Sequence, residues 1–191
     1  MCRIRRTERR ERWRRWRLAA PADDVYVDAG SVARTITSAV GGGFDVLNVN
    51  ATPATTAVSD TLDTTTLALT ASPSVAEGGL ITYTASLSAP AQTAMTVNLS
   101  NGSVITIAAG ANTGSVNVSA PGDDVYVDAG SVSASISNAS GGNFENLVVN
   151  PTAATTTVSD TIATTTVSLS ATPSVAEGGS IVYTASLTSP A

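Results

Sequence analysis

Between residues 64 and 163, apolar and polar side chains alternate in short runs, and each run ends at a turn signal. The run 67–71 stops at Ser72-Pro73, and the run 80–87 puts Ile81, Tyr83, Ala85 and Leu87 on one face. A period of two is that of a strand, because successive side chains point to opposite faces of a sheet. Further runs at 95–99, 104–107, 115–118, 132–136 and 154–158 complete a set of seven. Asn101-Gly102 is a tight hairpin signal between the third and fourth, while 109–114 and 144–151 read as loops. Seven short strands with turns about every ten residues predict an all-β fold, a seven-stranded immunoglobulin-like β-sandwich. No stretch of this region keeps a helical period. Aromatic residues are scarce, so the core is expected to come from Val, Ile, Leu and Ala, with Tyr83 and Phe144 as anchors.

The pattern is repeated. From residue 18 onward the chain has a period of 100 without gaps: 28 of 46 positions agree between 18–63 and 118–163, and 20 of 28 between 64–91 and 164–191. A unit of that length is a domain rather than one layer of a solenoid. Residues 64–163 make one complete repeat. Residues 18–63 are the C-terminal part of a preceding one and 164–191 the N-terminal part of a following one; both lack the segment equivalent to 92–117. Residues 1–17 match nothing in 101–117. With Trp13 and Trp16 among nine arginines, they suit a basic helix on a membrane or on nucleic acid. The alternative, taken here as the expectation, is a disordered or frayed segment of the kind that a truncated or frame-shifted reading of a longer array produces.

Charge sharpens this division. Nine of the ten Arg fall in residues 1–17, and from residue 18 there are 13 acids and one Arg, Arg34. An acidic body argues against nucleic acid as a partner, since phosphate contacts need cations, and suits a protein that binds metal cations. Cys2 is the one cysteine, so no disulfide forms within the chain. No apolar run is long enough to span a membrane, and the basic start lacks the apolar stretch of a signal peptide.

The acids are clustered. Asp-Asp-Val-Tyr-Val-Asp-Ala-Gly-Ser-Val occurs at 23–32 and again at 123–132. In an up-and-down sandwich, alternate connections lie at one pole. Strand parity therefore gathers Glu77 from the first connection, Asp123, Asp124 and Asp128 from the fifth, and Asp160 from just beyond the last strand. Like charges so gathered repel unless a cation separates them. Oxygen ligands from several loops, with no His or Cys among them, suit Ca²⁺ rather than zinc. Asp128 either joins this set or caps the strand that follows it, and solvated loop acids that keep the sandwich soluble remain the alternative to a site. The first copy, Asp23 to Asp28, has no counterpart of Glu77 ahead of it, so only the second copy is expected to form a complete site. Open strand edges in 18–63 and 164–191 are templates for self-association.

Four motifs together resemble the extender repeats of giant Gram-negative adhesins of the RTX type, secreted by type I systems. They are Pro-Ser-Val-Ala-Glu-Gly-Gly at 73–79 and 173–179, the Asp-Asp-Val-Tyr-Val-Asp stretch, Gly-Gly-Asn-Phe-Glu-Asn-Leu-Val-Val-Asn at 141–150, and Val-Ser-Asp-Thr at 158–161. An ice-binding adhesin carries the same kind of repeat, and Calx-β domains are more loosely similar. The resemblance covers 18–191. It implies tandem Ig-like domains outside the cell, calcium at and near the joints, neighbouring repeats as partners, and a mechanical role in holding a binding tip away from the cell during adhesion and biofilm formation.

Three other functions compete. A hydrolase using the paired Asp residues is disfavoured, because adjacent loop carboxylates rarely face one cleft and no nucleophile lies nearby; the chain is not expected to be an enzyme. A carbohydrate-binding Ig-like module is the main alternative, although exposed aromatics, which sugar binding uses, are expected to be missing. Membrane or nucleic-acid binding by residues 1–17 would make the repeats a passenger.

Overall fold

The computed structural model describes residues 17–28 and 30–191; the expectation for residues 1–16 lies outside them. The chain forms two compact units. Of the described residues, the first comprises 17–24 together with Asp28–Thr61, and the second Val25–Val27 together with Leu62–Ala191. All fourteen elements among the described residues are strands.

In the first unit, β1 (Gly30–Arg34) and β2 (Ala54–Val58) pair antiparallel, with Gly30 opposite Val58 and Arg34 opposite Ala54.

The second unit holds the rest. β3 (Thr64–Ala71), β4 (Ser74–Ala76), β5 (Leu80–Leu87), β6 (Met95–Leu99) and β7 (Val104–Ile107) come first. They are followed by β8 (Thr113–Ser119), β9 (Gly130–Ala134), β10 (Ile136–Gly141), β11 (Asn146–Val149) and β12 (Ala154–Ser159). β13 (Val167–Ala171) and β14 (Tyr183–Leu187) pair with each other. Three sheets surround one core: β11-β3-β5-β8, β4-β12-β9 and β10-β6-β7. Leu67, Ile81 and Tyr83 reach it from the first, Ala134 and Ala154 from the second, and Met95, Val97, Ile105 and Ile107 from the third. The strict alternation of buried and exposed positions along β3, β5, β6 and β12 is the pleat converting a period of two into one inner face. Tyr83 is fully buried, as an anchor should be. The β6–β7 hairpin turns at Gly102, whose φ of 84° suits a residue without Cβ.

The strands differ from the seven-run pattern in three places. The run 132–136 is broken at Ser135: β9 pairs with β12 in one sheet, and β10 crosses to β6 in another, with a register shift between Ile136 and Asn138. Pro73 likewise separates β3 from β4, and the two lie in different sheets. Residues 146–149, read as loop, form β11 and run parallel to β3. β4 also runs parallel to β12, so the order is not purely up-and-down.

Val25–Val27 belongs to the second unit because it pairs there. Tyr26 bridges antiparallel to Phe144 and stacks on its ring with centroids 5.8 Å apart, and its hydroxyl donates to the Pro90 carbonyl at 2.6 Å. Phe144 is thus a half-buried partner of Tyr26 rather than a central core residue. Among the described residues no helix is long and apolar enough to cross a membrane.

Candidate metal centre

The turn after β4 is built by backbone. Glu77 donates its N–H to the Ser159 carbonyl at 3.0 Å, Gly78 donates to Pro121 at 2.7 Å, and Ala120 donates to Gly79 at 2.9 Å. Gly78 turns with φ of 70°. A Cβ on Gly79 would lie 2.5 Å from Cγ2 of Val75, so only glycine closes the turn at this radius. These bonds fasten Glu77 between the end of β12 and the segment that leads into β9.

Three carboxylates meet there. Glu77, Asp128 and Asp160 can each offer an oxygen such that all three lie within 4.8 Å of one another. Glu77 is 7% exposed, Asp160 half-buried and Asp128 exposed. Oε2 of Glu77 and Oδ1 of Asp160 are buried without a hydrogen-bond partner. Burying such oxygens without a donor is costly. The Glu77 carboxyl is pushed up from its ordinary 4.5 to about 7, first by its hydrogen bond with Asp128, then by desolvation and by the charges of Asp128 and Asp160. Below about pH 7 the cluster therefore holds a proton where a cation would serve the same oxygens. A cluster of this composition could hold a metal ion.

The other two candidates lie outside this group of three and make local bonds. Asp123 accepts a hydrogen bond from the Thr161 hydroxyl. Asp124 accepts the N–H of Tyr126 at 2.7 Å in a local Asx-type turn. Asp123 and Asp124 thus shape the loop, and Asp128 faces Glu77.

In the first unit the Thr61 hydroxyl bonds to Asp23, and the Asp28 N–H lies 3.4 Å from Oδ2 of Asp60. Desolvation, then Asp24, Asp60 and Asp23, raise the Asp28 carboxyl. Glu145, inside the 141–150 motif, is an acid that strand parity does not gather at the pole. Its carboxylate accepts the Asp63 N–H, and the signal for it in the sequence is Asp45, an acid at the equivalent position. The expected lack of exposed aromatics is also corrected: Phe44, Tyr126 and Tyr183 are 62%, 48% and 66% exposed.

The family model described as LapA domain matches residues 14–61, 63–161 and 163–191. No curated protein matches the chain.

Proposed function

The chain belongs to the LapA domain family, and from that premise we propose that it is an extender segment of a calcium-dependent surface adhesin. The family places it in a cell-surface protein concerned with adhesion and biofilm formation. In the proposed reading 64–163 is a complete immunoglobulin-like repeat, 18–63 and 164–191 are parts of its neighbours, and 1–17 lies outside the array. The repeats work mechanically, holding a binding tip away from the cell, and they carry no catalytic step. Their partners are neighbouring repeats and, through open strand edges, further copies of the chain.

The observation that carries the calcium part is the Glu77, Asp128 and Asp160 cluster with its two buried, unpartnered oxygens. Calcium binds oxygens at about 2.3–2.6 Å, so ligands on opposite sides of the ion stand roughly 5 Å apart. Three carboxylate oxygens that lie within 4.8 Å of one another are close enough to share one such ion. The ligands are all hard carboxylates, which favours calcium over zinc. Backbone carbonyls and water would complete its six to eight oxygens.

Thermal melting in calcium, in magnesium and in chelator tests this. A site of extracellular strength, with a dissociation constant of about 10⁻⁴–10⁻³ M, stabilises the fold by about 1.4 kcal/mol at a tenfold excess. That corresponds to a rise of roughly 5–10 °C. Equal melting temperatures in calcium and chelator would remove the calcium reading.

A further inference from the structure

The first unit contains a cleft of about 440 Å³, lined among others by Pro21, Asp28, Val58, Ser59, Asp60 and Thr61. One period on, the same positions are Pro121, Asp128, Val158, Ser159, Asp160 and Thr161. In the complete repeat those residues hold the Pro-Ser-Val-Ala-Glu-Gly-Gly segment at 73–79. Ser74, Val75 and Ala76 pair in parallel with Thr157, Val158 and Ser159. Glu77 and Gly78 donate to Ser159 and Pro121, and Pro73 accepts the Thr157 N–H at 3.0 Å. The cleft of the first unit is therefore the socket of this segment.

The chain also carries a second, letter-for-letter copy of the plug at 173–179. Val175 is 46% exposed and Glu177 is exposed, whereas Glu77 is buried. We propose that the cleft of one chain binds residues 173–179 of a second copy, adding 174–176 as a parallel strand on β2 and bringing Glu177 to Asp28 and Asp60. This is strand addition to an open sheet edge. It rests on the self-association reading above and names its site.

Both halves are shaped before they meet. The undocked plug already makes the turn of the docked one: Gly179 N–H to Ala176 carbonyl is 2.9 Å, against 3.1 Å for Gly79 to Ala76. Gly178 has φ of 79° and Gly78 of 70°. The socket strands β1 and β2 keep the register of β9 and β12, with Gly30 on Val58 as Gly130 is on Val158. The Thr61 to Asp23 bond repeats that of Thr161 to Asp123. Preformed halves lose little conformational freedom on docking. Because plug and socket are different surfaces, the contact is head-to-tail and does not close on itself.

Sedimentation velocity of the full chain over a range of concentrations tests this, with two variants. Val175→Asp spoils the plug at an exposed position. Ala57→Pro removes the N–H that corresponds to the Thr157 donor, on the edge of β2 that faces away from β1, where proline is tolerated. The chain as it stands is expected to grow from one copy to two and more, and each variant alone to stay a single copy. An equimolar mixture should stop at a pair, formed by the intact plug of Ala57→Pro in the intact socket of Val175→Asp. Calcium at a tenfold excess over its dissociation constant should tighten the pair about tenfold. Pairing that is equal in calcium and chelator would overturn the metal at this joint but leave the docking. A chain that stays single at every concentration, variants that associate like the unaltered chain, or a mixture that does not pair would overturn the docking itself.

Discussion

β3 with β5 and β13 with β14 are one hairpin pattern seen twice. Leu67 faces Leu87 and Ala71 faces Tyr83; one period on, Val167 faces Leu187 and Ala171 faces Tyr183. Even the closing bonds agree, Ser72 N–H to Thr82 carbonyl and Thr172 N–H to Val182 carbonyl. The surroundings are opposite. Ile81 and Tyr83 are fully buried, while Ile181 and Tyr183 are 55% and 66% exposed. Pairing and register thus follow from local sequence, because the alternation and the flanking Pro are the same. Burial does not, because it is supplied by residues of β6 to β12, far along the chain.

The largest test of this comparison is the same substitution made in each copy. Ile81→Ala opens space in a closed core and is expected to cost about 2–5 kcal/mol. Ile181→Ala, on an exposed strand, should stay within about 0.5 kcal/mol. Urea unfolding midpoints measure both. Similar losses at the two positions would mean that β13 and β14 are covered in solution, and the difference between the copies would vanish.

How far the sequence shows all this depends on the range of the interaction involved. The runs at 80–87, 95–99 and 104–107 are visible because each alternates and is bounded by turn residues. The break at Ser135 is not, because the run 132–136 alternates straight through it and only the demands of two sheets decide the crossing. β11 is hidden for a different reason. Asn146 to Val149 is partly buried along most of its length, so it shows no period of two, and its parallel partner β3 is about 80 residues away. Among the acids, Glu77 stands out in a glycine turn that has no other use for a charge. Spacing does not separate Asp128 from Asp123 and Asp124, because only the folded chain brings Asp128 within reach of Glu77 and Asp160.

Glu77 and Glu177 offer a second contrast, this time chemical. If the cluster binds calcium as proposed, Glu77→Gln is expected to remove the stabilisation that the ion gives, about 1.4 kcal/mol at a tenfold excess; Glu177→Gln in dilute protein should leave it intact. The metal-free chain adds a pH signature. Folded Glu77 keeps its proton up to about 7, while the unfolded chain loses it near 4.5. Between those values the folded state binds more protons, so stability falls as pH rises. The contribution is fully present below 4.5 and lost above 7. Subtracting the profile of Glu77→Gln from that of the unaltered chain, both in chelator, isolates it. A flat difference would mean that Glu77 is not facing Asp128 in solution.

The smallest expected effect bears on how the two hairpins differ at a single atom. The Tyr83 hydroxyl is buried with no hydrogen-bond partner, and burial raises the pKa of its phenol. An unsatisfied buried hydroxyl costs roughly 1–3 kcal/mol, whereas its removal with the ring kept in place forfeits little packing. Tyr83→Phe should therefore stabilise the protein, by about 1 kcal/mol, against the usual direction of a core substitution. Tyr183 is 66% exposed, and Tyr183→Phe should change stability by less than about 0.5 kcal/mol. If Tyr83→Phe instead destabilises, the hydroxyl has a bonded partner in solution. The cost of carrying Tyr rather than Phe at this point of the repeat would then be repaid inside the core, and not at a surface that the exposed copy has in common with it.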